Sequence, residues 1–211
     1  PWNGNINITV TPVSPTRFNL RLRIPGYVIG KENPGGLYNS NDNFKDEVEV
    51  ALNGKMVSSE ITDGYLTINH LWSPGDKISI KFPLPIRKIT SHSSVSENKE
   101  KVAFMIGPLL YCFESIDNKK LDHAILKPDC KYAFSDKITE LDNAITISVA
   151  SNIGDLIGIP FYLQNNRGDD QSFKVWMPIT EKANNEIPKR ERPREIKSSE
   201  ENFKSGENAS F

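Results

Sequence analysis

The sequence has few of the side chains that build disulfide frameworks or zinc sites. Its 211 residues include two cysteines, Cys112 and Cys130, so at most one bridge forms within the chain. The three histidines, His70, His92 and His123, lie far apart and show no metal-ligand spacing. These absences exclude a zinc framework and a multi-disulfide scaffold, and they leave the redox compartment open.

Long apolar runs and an excess of one charge are also missing. Lysine and arginine number 26 against 27 aspartates and glutamates, a formal net charge of -1. No global field therefore attracts the chain to nucleic acid or an anionic membrane, and no apolar stretch approaches the length of a membrane span. The opening stretch PWNGNINITV has no leader pattern and starts inside a strand-like alternation. It predicts an excised part of a longer protein whose address signals would lie upstream.

No segment shows a sustained helical repeat, whereas apolar and polar residues alternate through much of the chain. In RFNLRLRIPG, residues 17–26, every second residue is apolar until proline and glycine end the pattern, which predicts a half-buried strand. The pair Asn53-Gly54 predicts a type I′ hairpin, and residues 73–76 (SPGD) predict a turn. Short strands between such turns are typical of antiparallel sandwiches, so the predicted fold class is all-β.

We predict two antiparallel β-sandwich modules in tandem, followed by a polar C-terminal extension. Residues 1–90 form the first module and 91–180 the second, with the seam near the serine-rich stretch at 89–100. Residues 31–45 are expected to form a long loop. Between 181 and 211, lysine and arginine mix almost evenly with glutamate, which predicts a solvated tail or a linker to a further module.

Two acidic loops have both a functional and a plain structural interpretation. The loop NSNDNFKDE (39–47) is rich in oxygen ligands for calcium, but Phe44 stands where an EF-hand loop needs glycine, so a turn-rich loop is favoured. Residues 167–169 (RGD) match a cell-adhesion tripeptide, and Asp169-Asp170 is a carboxylate pair. A turn explains these residues better, because adjacent strand residues point to opposite faces and cannot flank one glycosidic bond.

The three tryptophans, Trp2, Trp72 and Trp176, are either sugar-stacking platforms or packing residues of a thin sandwich core. Packing in the core or between domains is favoured. Trp72 falls at the end of a predicted strand before a tight turn. Trp176 lies among the alternating apolar residues of SFKVWMP (172–178), which is predicted as a strand, as is GIPFYLQ (158–164) before it.

Cys112 lies in GPLLYCFE (107–114), one of the most apolar runs of the chain. On a strand its thiol shares a face with Leu110 and Glu114, and no neighbouring lysine, arginine or histidine lowers its pKa. We expect a neutral core cysteine, with a disulfide to Cys130 as the alternative. Phosphate loops, nucleophile elbows and zinc-protease motifs are absent, so no catalytic, cofactor-binding or metal-binding residue is predicted.

Six motifs occur in the order and rough spacing of one known family. They extend from Pro1 to Pro178 and read PWNG, LRIPGY, ALNGK, GYLTINHLWSPGDKISIKFPLPIRKI, KVAFMIGPLLYCFES, and GIPFYLQNNRG followed by VWMP. Together they resemble the C-terminal part of glycoside hydrolase family 127, the β-L-arabinofuranosidase-like enzymes. Two positions depart from the family pattern: Ile106 replaces a common arginine, and Leu163-Gln164 replace a common Ala-Trp.

The resemblance implies that catalysis belongs to another domain. In that family an upstream (α/α)6 barrel carries a zinc-bound cysteine nucleophile in a double-cysteine motif. This sequence has no double cysteine, and Cys112 matches a family cysteine that is not the nucleophile. The resemblance implies a non-catalytic part of a bacterial glycoside hydrolase that supports the barrel in plant-glycan degradation, with zinc only in the parent's catalytic domain. It also implies that the first module lacks upstream strands.

Two other roles stay open, a carbohydrate-binding module and an oligomerisation or interaction module. The expected partners are the upstream barrel domain and the parent's plant glycan, and a homodimer is an open alternative. Neither nucleic acid nor a membrane is an expected partner. A periplasmic or secreted bacterial location is favoured, with the cytoplasm as the alternative.

Overall fold

Alternating apolar residues and glycine-bearing turns fold the chain into short strands. The structure, a computed structural model, describes residues 3–30, 34–40, 48–58, 60–141, 143–168 and 172–179. Within these ranges the strands are β1 (Asn5–Val10), β2 (Thr16–Arg23), β3 (Tyr38–Ser40), β4 (Glu49–Leu52), β5 (Lys55–Met56), β6 (Ile61–Thr62), β7 (Tyr65–Trp72), β8 (Asp76–Lys81), β9 (Ile86–Ser91), β10 (Lys101–Ile106), β11 (Leu109–Glu114), β12 (Tyr132–Ile138), β13 (Ala144–Ser151), β14 (Gly154–Pro160), β15 (Phe173–Lys174) and β16 (Met177–Pro178). The helical segments there are short 3-10 turns: Gly26–Ile29, Pro34–Gly36, Ser96–Asn98, Leu121–His123, Thr139–Leu141 and Phe161–Leu163.

The first module is a sandwich of two antiparallel sheets. One sheet has the strand order β1-β8-β4-β5, and the other has the order β2-β7-β6. Their facing side chains form one core, whose centre includes Trp72, Ile78 and Ile24, each at most 1% exposed. Because apolar residues alternate on β2, β7 and β8, one face of each strand is buried and the other is left to solvent.

The hairpin predicted at Asn53-Gly54 is confirmed. Both residues have positive φ angles, 51° and 78°, as a type I′ turn requires, and Leu52 pairs with Lys55 across the turn. The turn at 73–76 is closed by Asp76, whose carboxylate accepts the Ser73 N–H at 2.8 Å.

The second module is built on a nine-stranded sheet that curls around its own core. The path runs β12-β13-β14-β11-β10-β9-β3, with β15 added on β11 and β16 added on β10. The β10–β11 hairpin pairs over only two residue pairs next to its turn and then diverges. Beyond that point β15 and β16 pair with the edges that the hairpin leaves open. The all-β class with two tandem antiparallel sandwiches, predicted from the sequence, is confirmed.

The two cores separate early in the chain. Phe82 belongs to the core of the first module and Ile86 to that of the second. Strand β9 (86–91) therefore lies in the nine-stranded sheet of the second module, although the sequence analysis assigned residues up to 90 to the first module. The boundary at 90 itself stays a prediction, as does the lack of upstream strands, and residues 181–211 lie outside the described part of the chain.

Local sequence patterns misplaced three segments. The stretch SFKVWMP was predicted as one strand, but a bend at 175–176 splits it into β15 and β16, which pair with different partners. The expected loop at 31–45 contains β3, which pairs with β9 because the main-chain groups of Tyr38–Ser40 match the open edge there. Residues 161–163, expected to continue a strand, form a 3-10 turn after Pro160. No helix among the described residues is long and apolar enough to cross a membrane.

Candidate functional site

The thiol of Cys112 is part of a core. Cys112 has no exposed surface and packs with Leu141, Ala144 and Ile159 on the face of β11 opposite Tyr111 and Phe113. Burial raises the pKa of its thiol to about 12, and the nearby carboxylate of Glu114 adds to that rise. The thiol is therefore neutral at ordinary pH and unsuited to act as a nucleophile.

The expectation that no cation lies near Cys112 was wrong. The guanidinium of Arg167 lies close enough to act against the rise in the thiol pKa, although burial outweighs it. Sequence proximity could not show this contact, because the two residues are 55 positions apart along the chain.

The described residues do not fit a zinc or disulfide site. Cys112 and Cys130 are both free and belong to different buried clusters. No group of three histidine, cysteine, aspartate or glutamate side chains in the described ranges has the geometry to hold a metal ion. No catalytic step through zinc can therefore be assigned to this part of the chain.

Arg167 forms the centre of a buried polar cluster with Glu114 and Asp117. Its guanidinium donates to Glu114 Oε2 at 2.9 Å and to Asp117 Oδ1 at 2.9 Å, with a second, shorter bond to Asp117 Oδ2. Glu114 Oε1 accepts the main-chain N–H of Asn165 at 2.6 Å. The side chains of Glu114 and Arg167 are 1% and 13% exposed. We call Glu114, Asp117, Asn165 and Arg167 the Arg167 cluster.

The Arg167 guanidinium is shared between the two carboxylates of its cluster. The hydrogen bonds that Arg167 donates to Asp117 and to Glu114 hold the pKa of Arg167 above its ordinary value, although burial opposes them. Both Glu114 oxygens accept a hydrogen bond within this cluster. The cluster fixes the segment 164–168 against the end of β11, because a bidentate guanidinium is a strong geometric restraint.

Asn118 extends this polar anchor to the neighbouring strand. Its side-chain amide donates to the carbonyls of Glu114 (2.8 Å) and Ile157 (2.9 Å), and its Oδ1 accepts the Ile157 N–H at 2.7 Å. Asn118 is 3% exposed, and these bonds satisfy its buried amide. The end of β11 is thereby tied to β14.

A second polar contact lies between the two modules. Arg87 on β9 is fully buried, and its guanidinium lies 5.1 Å from the centre of the Tyr27 ring, which belongs to the first module. The same guanidinium donates to the carbonyl of Gly107, at the tip of the β10–β11 hairpin. Arg87 thus connects both modules through a cation–π contact and a charge-assisted hydrogen bond.

Two glycines allow this close approach. A Cβ at Gly107 would lie 2.6 Å from Leu84 Cδ2 and 3.6 Å from the Tyr27 hydroxyl. A Cβ at Gly4 would lie 2.1 Å from the carbonyl oxygen of Phe82. Both residues also have positive φ angles, which glycine adopts at little cost. We call the contact region formed by Gly4, Tyr27, Leu84, Arg87 and Gly107 the module joint.

The two tryptophans that the structure describes, Trp72 and Trp176, do not form a common platform. Trp72 has no exposed surface, stacks on Phe18 and donates its indole N–H to the Phe18 carbonyl, so the predicted core position is confirmed. Trp176 is partly buried and stacks on Tyr38, with ring centres 5.8 Å apart. The prediction that Trp176 lies within a continuous strand was wrong, because this residue sits in the bend before β16. Trp2 lies outside the described residues.

The two acidic loops are only partly described. Residues 41–47 of the calcium candidate and Asp169-Asp170 lie outside the described ranges. The arginine of the adhesion tripeptide is the one at the centre of the Arg167 cluster, where two carboxylates hold it. That engagement leaves little of its guanidinium for an external receptor.

Four motifs picked out in the sequence therefore meet at the module joint: PWNG supplies Gly4, LRIPGY supplies Tyr27, the PLPIRKI segment supplies Leu84 and Arg87, and GPLLYC supplies Gly107. The NRG motif supplies the arginine at the centre of the Arg167 cluster. Together, fold and clusters define a tandem β-sandwich unit whose buried polar groups are engaged in structural contacts.

Family models place this unit. Residues 1–84 match the model described as beta-L-arabinofuranosidase, GH127 middle domain, and residues 86–178 match the glycoside hydrolase family 127 C-terminal domain. The chain belongs to glycoside hydrolase family 127.

Known relatives are longer than this chain. A non-reducing end beta-L-arabinofuranosidase of Bifidobacterium longum subsp. longum is 28% identical over 184 residues, which cover 83% of this chain and 24% of that protein. A solved GH127 beta-arabinofuranosidase has a TM-score of 0.77 at 32% identity and covers 85% of this chain and 30% of its own. A GH127 beta-L-arabinofuranosidase from Geobacillus stearothermophilus T6 has a TM-score of 0.69 at 28% identity, covering 85% and 29%. The chain thus spans less than a third of these relatives.

Proposed function

We propose that this chain is the non-catalytic β-sandwich part of a bacterial glycoside hydrolase of the β-L-arabinofuranosidase type. Its role is to support a separate helical catalytic domain that acts on plant glycans. The observation that carries the proposal is the pair of family matches, which together account for residues 1–178 as middle and C-terminal domains.

The chemistry of the Arg167 cluster, the module joint and the Cys112 thiol supports this role. The buried side chains of Glu114 and Arg167 form an ion pair, and the guanidinium of Arg87 is engaged in the module joint. The Cys112 thiol is neutral. None of these groups is poised to attack or protonate a sugar. The nucleophile and any zinc of the parent enzyme are therefore assigned to the catalytic domain, as the family resemblance implies.

The test uses the complete polypeptide that carries this chain, together with two derivatives. The first derivative lacks the segment corresponding to residues 1–178, and the second is the 211-residue chain alone. We expect the complete protein to hydrolyse an aryl β-L-arabinofuranoside, the isolated chain to show no turnover, and the truncated protein to lose heat stability and activity. Turnover by the isolated chain that disappears in Cys112→Ser would overturn the proposal, as would a truncated protein with full stability and activity.

A carbohydrate-binding role has less support. It requires exposed, coplanar aromatic rings, whereas Trp72 is buried and one face of Trp176 is covered by Tyr38. Retention of the isolated chain on arabinan would favour that role over the supporting one.

A further inference from the structure

The outward face of strands β2 and β7 carries a row of arginines. Arg17, Arg21 and Arg23 lie on β2 at alternating positions and are all exposed. Neighbouring same-face residues of a strand are about 6.6–6.8 Å apart, so Arg21 and Arg23 are adjacent, whereas Asn19 separates Arg17 from Arg21. Strands β2 and β7 have eight residues each and contain neither aspartate nor glutamate.

Neutral groups hold two of these arginines in place. Arg17 donates to Asn69 Oδ1 at 3.1 Å, and Asn69 in turn donates to Asn19 Oδ1 at 2.5 Å. The guanidinium of Arg21 lies 4.5 Å from the centre of the Tyr65 ring. Within the described ranges no ion pair joins a carboxylate to any of the three arginines of the row. Arg17 and Arg21 are therefore positioned by neutral groups, and no described carboxylate pairs with either of them.

The opposite sheet of the same module shows a different arrangement. On its outward face Lys81 pairs with Glu49 at 3.6 Å, and this strand pair mixes both signs of charge. The chain as a whole is also nearly balanced, with 26 basic and 27 acidic residues. The arginine row is thus a local feature of one face and not a consequence of composition.

The chemistry of this face fits an acidic protein surface. It is a sheet face that combines guanidiniums with Leu71, 47% exposed, and the partly buried Tyr65. Arginine and tyrosine are enriched at protein interfaces, and guanidiniums pair with carboxylates in bidentate geometry. Small sugars bind in concave sites, and nucleic acid binding needs a broader basic patch than three residues supply.

Resting on the proposed function, we propose that this face, defined by Arg17, Arg21, Arg23, Tyr65 and Leu71, docks an acidic surface of another domain of the same polypeptide. The relatives supply the length for such a domain, because the chain covers 24% of the Bifidobacterium longum enzyme and 30% of a solved family member. The arginine face then holds the tandem β-sandwich unit in a fixed position against the other domain.

The test compares two triple substitutions of equal charge change in the complete polypeptide. Arg17→Glu, Arg21→Glu and Arg23→Glu reverse the arginine face, and Lys55→Glu, Lys77→Glu and Lys119→Glu reverse the same number of charges at exposed positions elsewhere. We expect the arginine variant to inactivate thermally on the order of tenfold faster than the wild type, with a larger radius of gyration by X-ray scattering, because interfacial charge pairs become repulsive. The inactivation rate of the lysine control should stay within about twofold of the wild type, because exposed charges outside an interface contribute little to stability.

Further measurements separate the explanations. A milder triple change to glutamine should act in the same direction with a smaller effect, and high salt should accelerate inactivation of the wild type more than of the arginine variant. Equal behaviour of the arginine and lysine variants overturns the docking face. If deletion of residues 1–178 destabilises the enzyme while the arginine variant does not, the supporting role stands and this inference fails. If the arginine variant loses only retention on an acidic polysaccharide or nucleic acid, the face binds that ligand and the inference also fails.

Discussion

Trp72 donates its indole N–H to the carbonyl oxygen of Phe18 at 3.0 Å while the two rings stack with centres 5.6 Å apart. The contact joins β7 to the edge strand β2 inside the first core. Replacing Trp72 with alanine should therefore lower the free energy of unfolding by roughly 3–5 kcal/mol, as for other buried tryptophans. Trp72→Phe, which keeps the ring but not the donor, should cost less. Chemical denaturation measures both, and a stable alanine variant that loses polysaccharide binding would contradict the core role.

Arg167 and Glu114 should show strong coupling. Arg167→Gln leaves the Glu114 carboxylate buried without its cation, so we expect a loss of about 3–5 kcal/mol in unfolding free energy. The double variant Glu114→Gln/Arg167→Gln should recover part of that loss, because the fully buried carboxylate is removed and only Asp117, 17% exposed, is left without its cation. A double-mutant cycle by urea denaturation measures the coupling. Asp122→Asn is the control, since its ion pair with Lys174 involves a carboxylate that is 76% exposed and should contribute little.

Gly107→Ala should destabilise the module joint. The added methyl group meets Leu84 at 2.6 Å and the residue has a φ of 53°, so we expect a loss of about 1–3 kcal/mol. Gly54→Ala is matched, because Gly54 also has a positive φ but no atom within 4 Å of the new Cβ. It should cost about 1 kcal/mol. If Leu84→Ala does not relieve part of the Gly107→Ala effect, the steric explanation is wrong.

Stability should fall in alkali partly through Cys112. Burial raises its pKa from 9.0 to about 12, so the folded state disfavours the thiolate and the unfolded state ionises first. The stabilisation is complete below the unfolded pKa and is lost as the pH rises from there towards the folded pKa. Melting temperatures measured from about pH 8 to about pH 11 should fall less steeply in Cys112→Ala than in the wild type. Parallel curves would exclude a contribution from this thiol.

Sequence patterns predicted the features that depend on neighbours along the chain. Alternation identified β2 and β7, and Asn53-Gly54 identified a hairpin, because strand faces and turn angles are local properties. The Arg167 cluster and the module joint could not be predicted in this way. Glu114 and Arg167 are 53 positions apart, and the burial of Arg87 depends on Tyr27 and Gly107, which reach it only through the tertiary fold. Family motifs marked these residues without showing their contacts.

The divergence of the β10–β11 hairpin has a consequence for synthesis of the protein on the ribosome. The last described strands, β15 and β16, occupy the edges that this hairpin leaves open, and they lie at Phe173–Lys174 and Met177–Pro178. Until they emerge from the exit tunnel, β10 and β11 present unpaired main-chain groups beside the apolar residues of the second core. Nascent chains at this stage are exposed to edge-to-edge aggregation. The described strands of the first module's two sheets all precede residue 82, so this module can close while the second is still being translated.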